Sequence, residues 1–284
     1  MPVQTPKTTT INLEGTISTT EYGLEKLMRF YNRCKAHNNT IITLEFYKLT
    51  WIDANMVAVL TGLLNKLKIE NNLSFNAEIL DDNKFDILFS NGFFNADNVL
   101  KNDKGTCVHL KHFNRGEEDD YVNYIENDLL EHKGLSLNNT SKEIIIDALI
   151  EIYSNYCIHS MTEYPIYVCG QYYPQKKVLK FTIFDLGIGF FPSINDKIPE
   201  IVTDNEAISW ALIKGNSTKK NMVPGGIGLS DLKDDLIHNN GHLEIISGKA
   251  YKKCILKNGK EIDKHITLDC NNIGTTINLF INCF

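Results

Sequence analysis

The sequence predicts an α/β protein in two parts, and three observations predict it. Across the first hundred or so of 284 residues, short runs rich in Ile, Thr and Phe alternate with helical patterns. After a polar break at residues 101–116, two helices lead into strands spaced as hairpins. Apolar residues make up 43% of the chain and charged residues 23%, so sizeable cores are affordable and wholesale disorder is excluded. At ~100–200 residues per domain the length itself favours two domains. We expect one at residues 1–104 and the second at residues 105–284.

In the first part, residues 8–17 alternate apolar and polar around Ile11 and Leu13, which suits a half-buried strand. Residues 21–37 carry Leu24, Leu27, Met28 and Tyr31 at helical spacing, and Asn38 and Asn39 end that helix. A second strand follows at 40–46. A second helix runs over 54–69, with Val57, Leu60, Leu64 and Leu67 on one stripe and Asp53 placed to cap it. A strand at 75–80 and a short helix at 83–91 complete the set.

In the second part, a strand at 108–113 precedes helices at 117–132 and 141–160, the latter capped by Thr140 or Ser141. Residues 166–173 and 178–185 read as a hairpin around a 174–177 turn. Residues 192–224 are long, polar and punctuated by glycine, with one helix at 205–213; such a segment inside a compact domain is more often functional than accidental. A helix at 229–240 follows a glycine cluster. The remainder is strand signal at 242–247, 251–256 and 275–282, with a turn at Asn258 and Gly259.

Composition excludes several classes of function. The net charge is −6, with 29 basic against 35 acidic residues, and only Arg29, Arg33 and Arg115 are arginine. A nucleic-acid surface needs a basic stripe and forked Arg contacts, so neither nucleic acid nor an anionic membrane is an expected partner. No apolar run approaches the ~18 residues of a membrane-spanning helix. Residues 1–10 lack the apolar core of a secretory signal. The seven cysteines are scattered, odd in number and never spaced CxxC, which suits reduced thiols in a cytoplasm better than disulfides or a zinc ribbon.

Three features of the second part point to chemistry. Glu151, Asn155 and His159 recur every four residues, which stacks a carboxylate, an amide oxygen and an imidazole on one helix face. Oxygen donors of this kind suit a hydrated magnesium ion, although a single such triplet is also common on a plain solvated helix edge. Asp185-Leu186-Gly187-Ile188-Gly189 closes a strand, so its carboxylate can face a cleft that backbone approaches closely. There it could accept a hydrogen bond from an exocyclic amino group. Gly225-Gly226-Ile227-Gly228-Leu229 opens a helix, where free N–H groups and the helix dipole favour phosphate.

These motifs give a resemblance. From about residue 117 to 284 the chain resembles the ATP-binding domain of the GHKL superfamily, shared by DNA gyrase, heat-shock chaperones, sensor histidine kinases and MutL proteins. Glu151-x3-Asn155-x3-His159 matches its N box, Asp185-x-Gly187-x-Gly189 its G1 box and Gly226-x-Gly228-Leu229 its G2 box; Gly274-Thr275-Thr276 is G3-like. Within it, Ser160 after His159 and the run 207–219 (AISWALIKGNSTK) look most like the anti-sigma-factor serine kinases. The resemblance implies an α/β sandwich with a mixed sheet, binding ATP and Mg²⁺. Asn155 would hold the ion, Asp185 would recognise adenine, Gly226 and Gly228 would cradle phosphates, and Thr275 would complete the adenine pocket. Glu151 would be the general base. His159, Gly187, Gly189 and Leu229 would line the same site, and Lys219 or Lys220 would approach the γ-phosphate from a lid.

Over residues 1–104 the βαβα order, above all residues 44–67 (LEFYKLTWIDANMVAVLTGLLNKL), resembles a STAS domain, the fold of anti-anti-sigma factors. Where those carry an Asp-Ser-Ser-Gly turn, this chain has Asp53-Ala54-Asn55-Met56, with no serine to phosphorylate. The first part is therefore expected to work by contact, on its own ATP domain or on a partner. Together the resemblances imply a cytoplasmic regulatory protein with a protein partner, acting as a serine kinase or slow ATPase in partner-switching signalling of the bacterial type. The alternative is a non-catalytic module gated by nucleotide. They also admit a homodimer.

Overall fold

A computed structural model describes residues 7–78, 85–94, 105–217 and 228–283. The first half begins with β1 (Lys7–Asn12), β2 (Gly15–Ile17) and α1 (Glu21–Lys35), then β3 (Thr40–Glu45) and β4 (Leu49–Ile52). The single strand expected at 8–17 is thus two. The chain turns at Glu14, and β1 pairs with β3 while β2 pairs with β4. The helix α2 (Val57–Glu70) and β5 (Ser74–Glu78) follow, and β3 lies between β1 and β5 in a parallel three-stranded sheet. Of the helix expected at 83–91, α3 (Asp86–Ser90) is described; residues 79–80 of the expected strand and 83–84 of that helix lie outside the described residues.

Asp53 does not cap α2. The chain enters that helix through a 3₁₀ turn at Ala54–Met56, and the Asp53 side chain makes no capping bond. It is taken up by the second half of the molecule instead.

That half comprises β6 (Cys107–Phe113), α4 (Glu118–Tyr124), α5 (Asn139–His159), β7 (Ile166–Tyr173) and β8 (Val178–Asp185). Then come α6 (Phe190–Asn195), α7 (Asp204–Ala211), α8 (Gly228–His238), β9 (His242–Lys257) and β10 (Lys260–Asn282). The helix expected at 117–132 is α only to Tyr124 and widens to a π-helix over Ile125–Leu130. Asn138, rather than Thr140 or Ser141, caps α5: its side chain accepts from the Ser141 N–H at 2.8 Å, while the Ser141 hydroxyl donates to Asp235 on α8.

The mixed sheet expected here is instead antiparallel at every pairing, in the order β6-β7-β8-β10-β9. For two of the four pairings the reason is connectivity. Short turns join β7 to β8 and β9 to β10, and a short turn can only return a strand antiparallel.

Because side chains alternate across a strand, each face of this sheet has its own core. Val168, Phe181, Ile183, Leu243 and Leu279 pack on one face with α4, α5 and α8. Tyr167, Cys169, Phe184 and Ile246 point the other way and share a core with Val57, Leu60 and Leu64 of α2. The chain position between residues 104 and 105 separates the five-stranded sheet from the two smaller ones, yet the core of the first half is completed by the sheet of the second.

Candidate functional site

The floor of the site is the end of two paired strands. Asp185 closes β8 directly opposite Thr275 of β10. The Gly187 N–H donates to Asp185 Oδ1 at 2.7 Å, and the Thr275 hydroxyl also bonds the carboxylate. These bonds favour the charged form. Burial opposes them more strongly and pushes the pKa up to about 6. Gly187 is required by close approach: a Cβ there would lie 2.6 Å from Ser160 Cβ and 2.8 Å from Asp185 Oδ1.

One wall is α5, whose four-residue spacing sets Glu151, Asn155 and His159 along the cavity, with Tyr156 and the C-cap Ser160 also lining it. At its upper end Glu151 Oε2 accepts the backbone N–H of Gly228 at 2.7 Å, the first residue of α8. A carboxylate at a helix N-terminus satisfies an otherwise orphan donor and meets the positive end of the dipole. A Cβ on Gly228 would lie 2.6 Å from that oxygen and 3.0 Å from Ala148 Cα, so only glycine brings α8 this near.

The opposite wall starts at Gly189 and is made by α6 and α7, which pack on each other through a small core of Ile194, Ile201 and Ala207. Phe190, Ser193, Trp210 and Asn216 face the cavity from this side. The space enclosed is about 890 Å³, open mouth included.

Seven residues singled out from the sequence line this one cavity: Glu151, Asn155, His159, Asp185, Gly189, Leu229 and Thr275. Gly187 and Gly228 stand just behind the lining, bonded to Asp185 and Glu151. Gly226, Lys219 and Lys220 lie outside the described residues. Sequence reasoning passed over Phe190, Ser193 and Trp210. Trp210 and Asn216 fall within the run 207–219 flagged for its likeness to kinases, but which face of the helix looks inward was decided by packing.

Among the described residues no three of His, Cys, Asp and Glu come together as a metal cage. Such a cage is not what magnesium needs beside phosphate, since one or two protein oxygens plus phosphate and water suffice. The Asn155 amide oxygen and the Glu151 carboxylate, one helical turn apart on the cavity wall, fit that limited role. Compared with known proteins, the chain matches no family model and no curated protein.

Proposed function

We propose that this cavity binds Mg²⁺-ATP and that the chain is a GHKL-type ATP-binding protein carrying a STAS-like first half. One observation carries the reading: three separated stretches of sequence, at 151–159, 185–189 and 275, supply the walls and floor of a single cavity. Their chemistry suits the parts of a nucleotide. Asp185, with Thr275 beside it, offers a half-buried acceptor for an exocyclic amino group. The N-terminus of α8 offers N–H groups and dipole to phosphate. Asn155 would hold the magnesium ion, whose charge offsets that of the phosphates.

In a kinase or slow ATPase of a partner-switching pathway, Glu151 would take the proton from a water or a substrate hydroxyl. The protein substrate would be a regulatory partner, and a cytoplasmic setting suits that role. Glu151→Gln tests this. Glutamine still accepts the Gly228 N–H, so α8 should stay in place and ATP should bind, while ADP release falls ~10²–10⁴-fold. Unchanged turnover in the purified variant would remove Glu151 from the chemistry.

A second reading has its own observation. Glu151 already holds the first N–H of α8, which ties the cavity wall to that helix. In a nucleotide-gated module this contact would be the switch, with phosphate competing for the N–H that Glu151 holds. Stoichiometric ATP binding with neither ADP formed nor phosphate transferred would favour the module.

A further inference from the structure

Trp210 falls within the run 207–219 but in none of the four boxes assigned to ATP, and it lines the cavity with them. It is the penultimate residue of α7, two residues before the Leu212 C-cap, and, like Phe190, it packs against the small α6–α7 core of Ile194, Ile201 and Ala207. That core is continuous with the floor, since α6 begins five residues after Asp185. Trp210 lines the same cavity as Asp185, and the N-terminus of α8 and Glu151 belong to that cavity too.

The backbone around Trp210 is fully used: its carbonyl accepts from the Asn216 side chain at 2.9 Å and from the Ile213 N–H at 3.1 Å. The side chain is not. Its ring is only partly buried and faces the cavity, and the indole N–H donates to none of the described residues. Tyr156, another aromatic of the lining, has its hydroxyl committed to the Tyr164 carbonyl. A large flat apolar face with a spare donor, sharing a cavity with a half-buried carboxylate, is what a planar heteroaromatic ring with polar edges would meet.

We propose that Trp210 is the base-contacting residue of the site, stacking on the nucleobase that Asp185 hydrogen-bonds. This rests on the ATP reading and adds to it a determinant of affinity for the base. The role is one of binding rather than chemistry, so it should act on the base and not on the phosphates.

The test is calorimetry on the full chain with three probes: Mg²⁺-ATP, adenosine and inorganic tripolyphosphate. Trp210→Leu should weaken ATP and adenosine by the same factor, about 5- to 150-fold, the range of base–aromatic stacking. Trp210→Phe should retain most of the affinity, and tripolyphosphate should bind all three proteins alike. Equal ATP affinity in wild type and Trp210→Leu, or a parallel loss for tripolyphosphate, overturns the assignment while leaving ATP binding intact. No ATP binding by the wild type overturns the functional reading and this inference together. Should Trp210→Leu fold poorly, Trp51→Phe leaves Trp210 as the sole tryptophan. Saturating ATP must then shield its fluorescence from acrylamide, and unchanged quenching overturns the stacking role.

Discussion

Two aspartates stand where a strand gives way to a turn, and their surroundings make them opposites. Asp53 follows β4 and is enclosed between the halves. It accepts from the Thr19 N–H and hydroxyl, the Trp51 indole, the Tyr173 hydroxyl and Lys180 Nζ, the last at 2.6 Å. Although burial alone would raise its pKa, Lys180 and these donors outweigh it and hold the carboxyl down at about 2. Asp185 closes β8 with no cation among the described residues bonded to it and with hydrogen bonds from Gly187 and Thr275; there burial wins, and the pKa goes up to about 6. A carboxylate with every lone pair engaged is structural. One kept half-buried and under-compensated is ready for a ligand.

Asp53 is also part of a larger seal. Asn55, fully buried, bonds Thr19 and Thr182, and Thr182 in turn donates to Asn278. The turn 53–56, where a phosphoacceptor would sit in the STAS resemblance, is thus closed against the sheet that ends in Asp185 and Thr275.

The largest effect is expected from breaking the first aspartate. Asp53→Ala leaves Lys180 buried without its partner and should cost about 3–5 kcal/mol of stability in urea unfolding. A loss below 1 kcal/mol would mean that the ion pair does not organise the interface. In wild type, the depressed pKa makes this contribution present above about pH 4 and lost as pH falls toward 2.

The second aspartate should behave with the opposite sign. Its folded pKa is raised, so the ionised form costs stability at neutral pH, and that cost is relieved as pH falls from above 6 toward 4. Asp185→Asn should therefore stabilise the protein at pH 7–8, by at most about 3 kcal/mol. The gain should vanish near pH 4. The same variant should lose selectivity for adenine over guanine nucleotides, and adenosine affinity in wild type should fall as pH drops through 6. A variant less stable than wild type at pH 8 would show that Asp185 is structural after all.

Asn155→Ala, on the wall between these strands and α8, should cost ~10²-fold in Mg²⁺-ATP affinity with little change in stability. Wild-type affinity by calorimetry would remove Asn155 from the magnesium site. The smallest effect is expected at Thr275→Val, which deletes one hydrogen bond that favours the charged form of Asp185. The pH at which adenosine affinity falls should rise by up to about one pH unit. A fall in that pH would contradict the bond.

The elements legible in the sequence are those set by local spacing. The period of four along α5 put Glu151, Asn155 and His159 on one face, and the 174–177 turn between alternating strands made a hairpin. Where several residues compete for one role, local pattern was insufficient. Asn138, Thr140 and Ser141 can all cap α5, and the choice went to Asn138 because Ser141 bonds Asp235, 94 residues away. Asp53 looked like a cap for the same reason, until Lys180, 127 residues away, claimed its carboxylate.

By itself, then, the sequence determined which residue types recur at which spacing: two halves of α/β pattern, one helix face of ligating groups, an aspartate and glycines at a strand end. Those are consequences of chain geometry within a few residues. Only the tertiary structure decided which aspartate is satisfied and which is not, that α2 completes its core on the second sheet, and that Trp210 faces the same cavity as Asp185. The ionisation of a carboxyl depends on the balance between desolvation and its donors, and both are supplied by residues that meet only when the chain is folded.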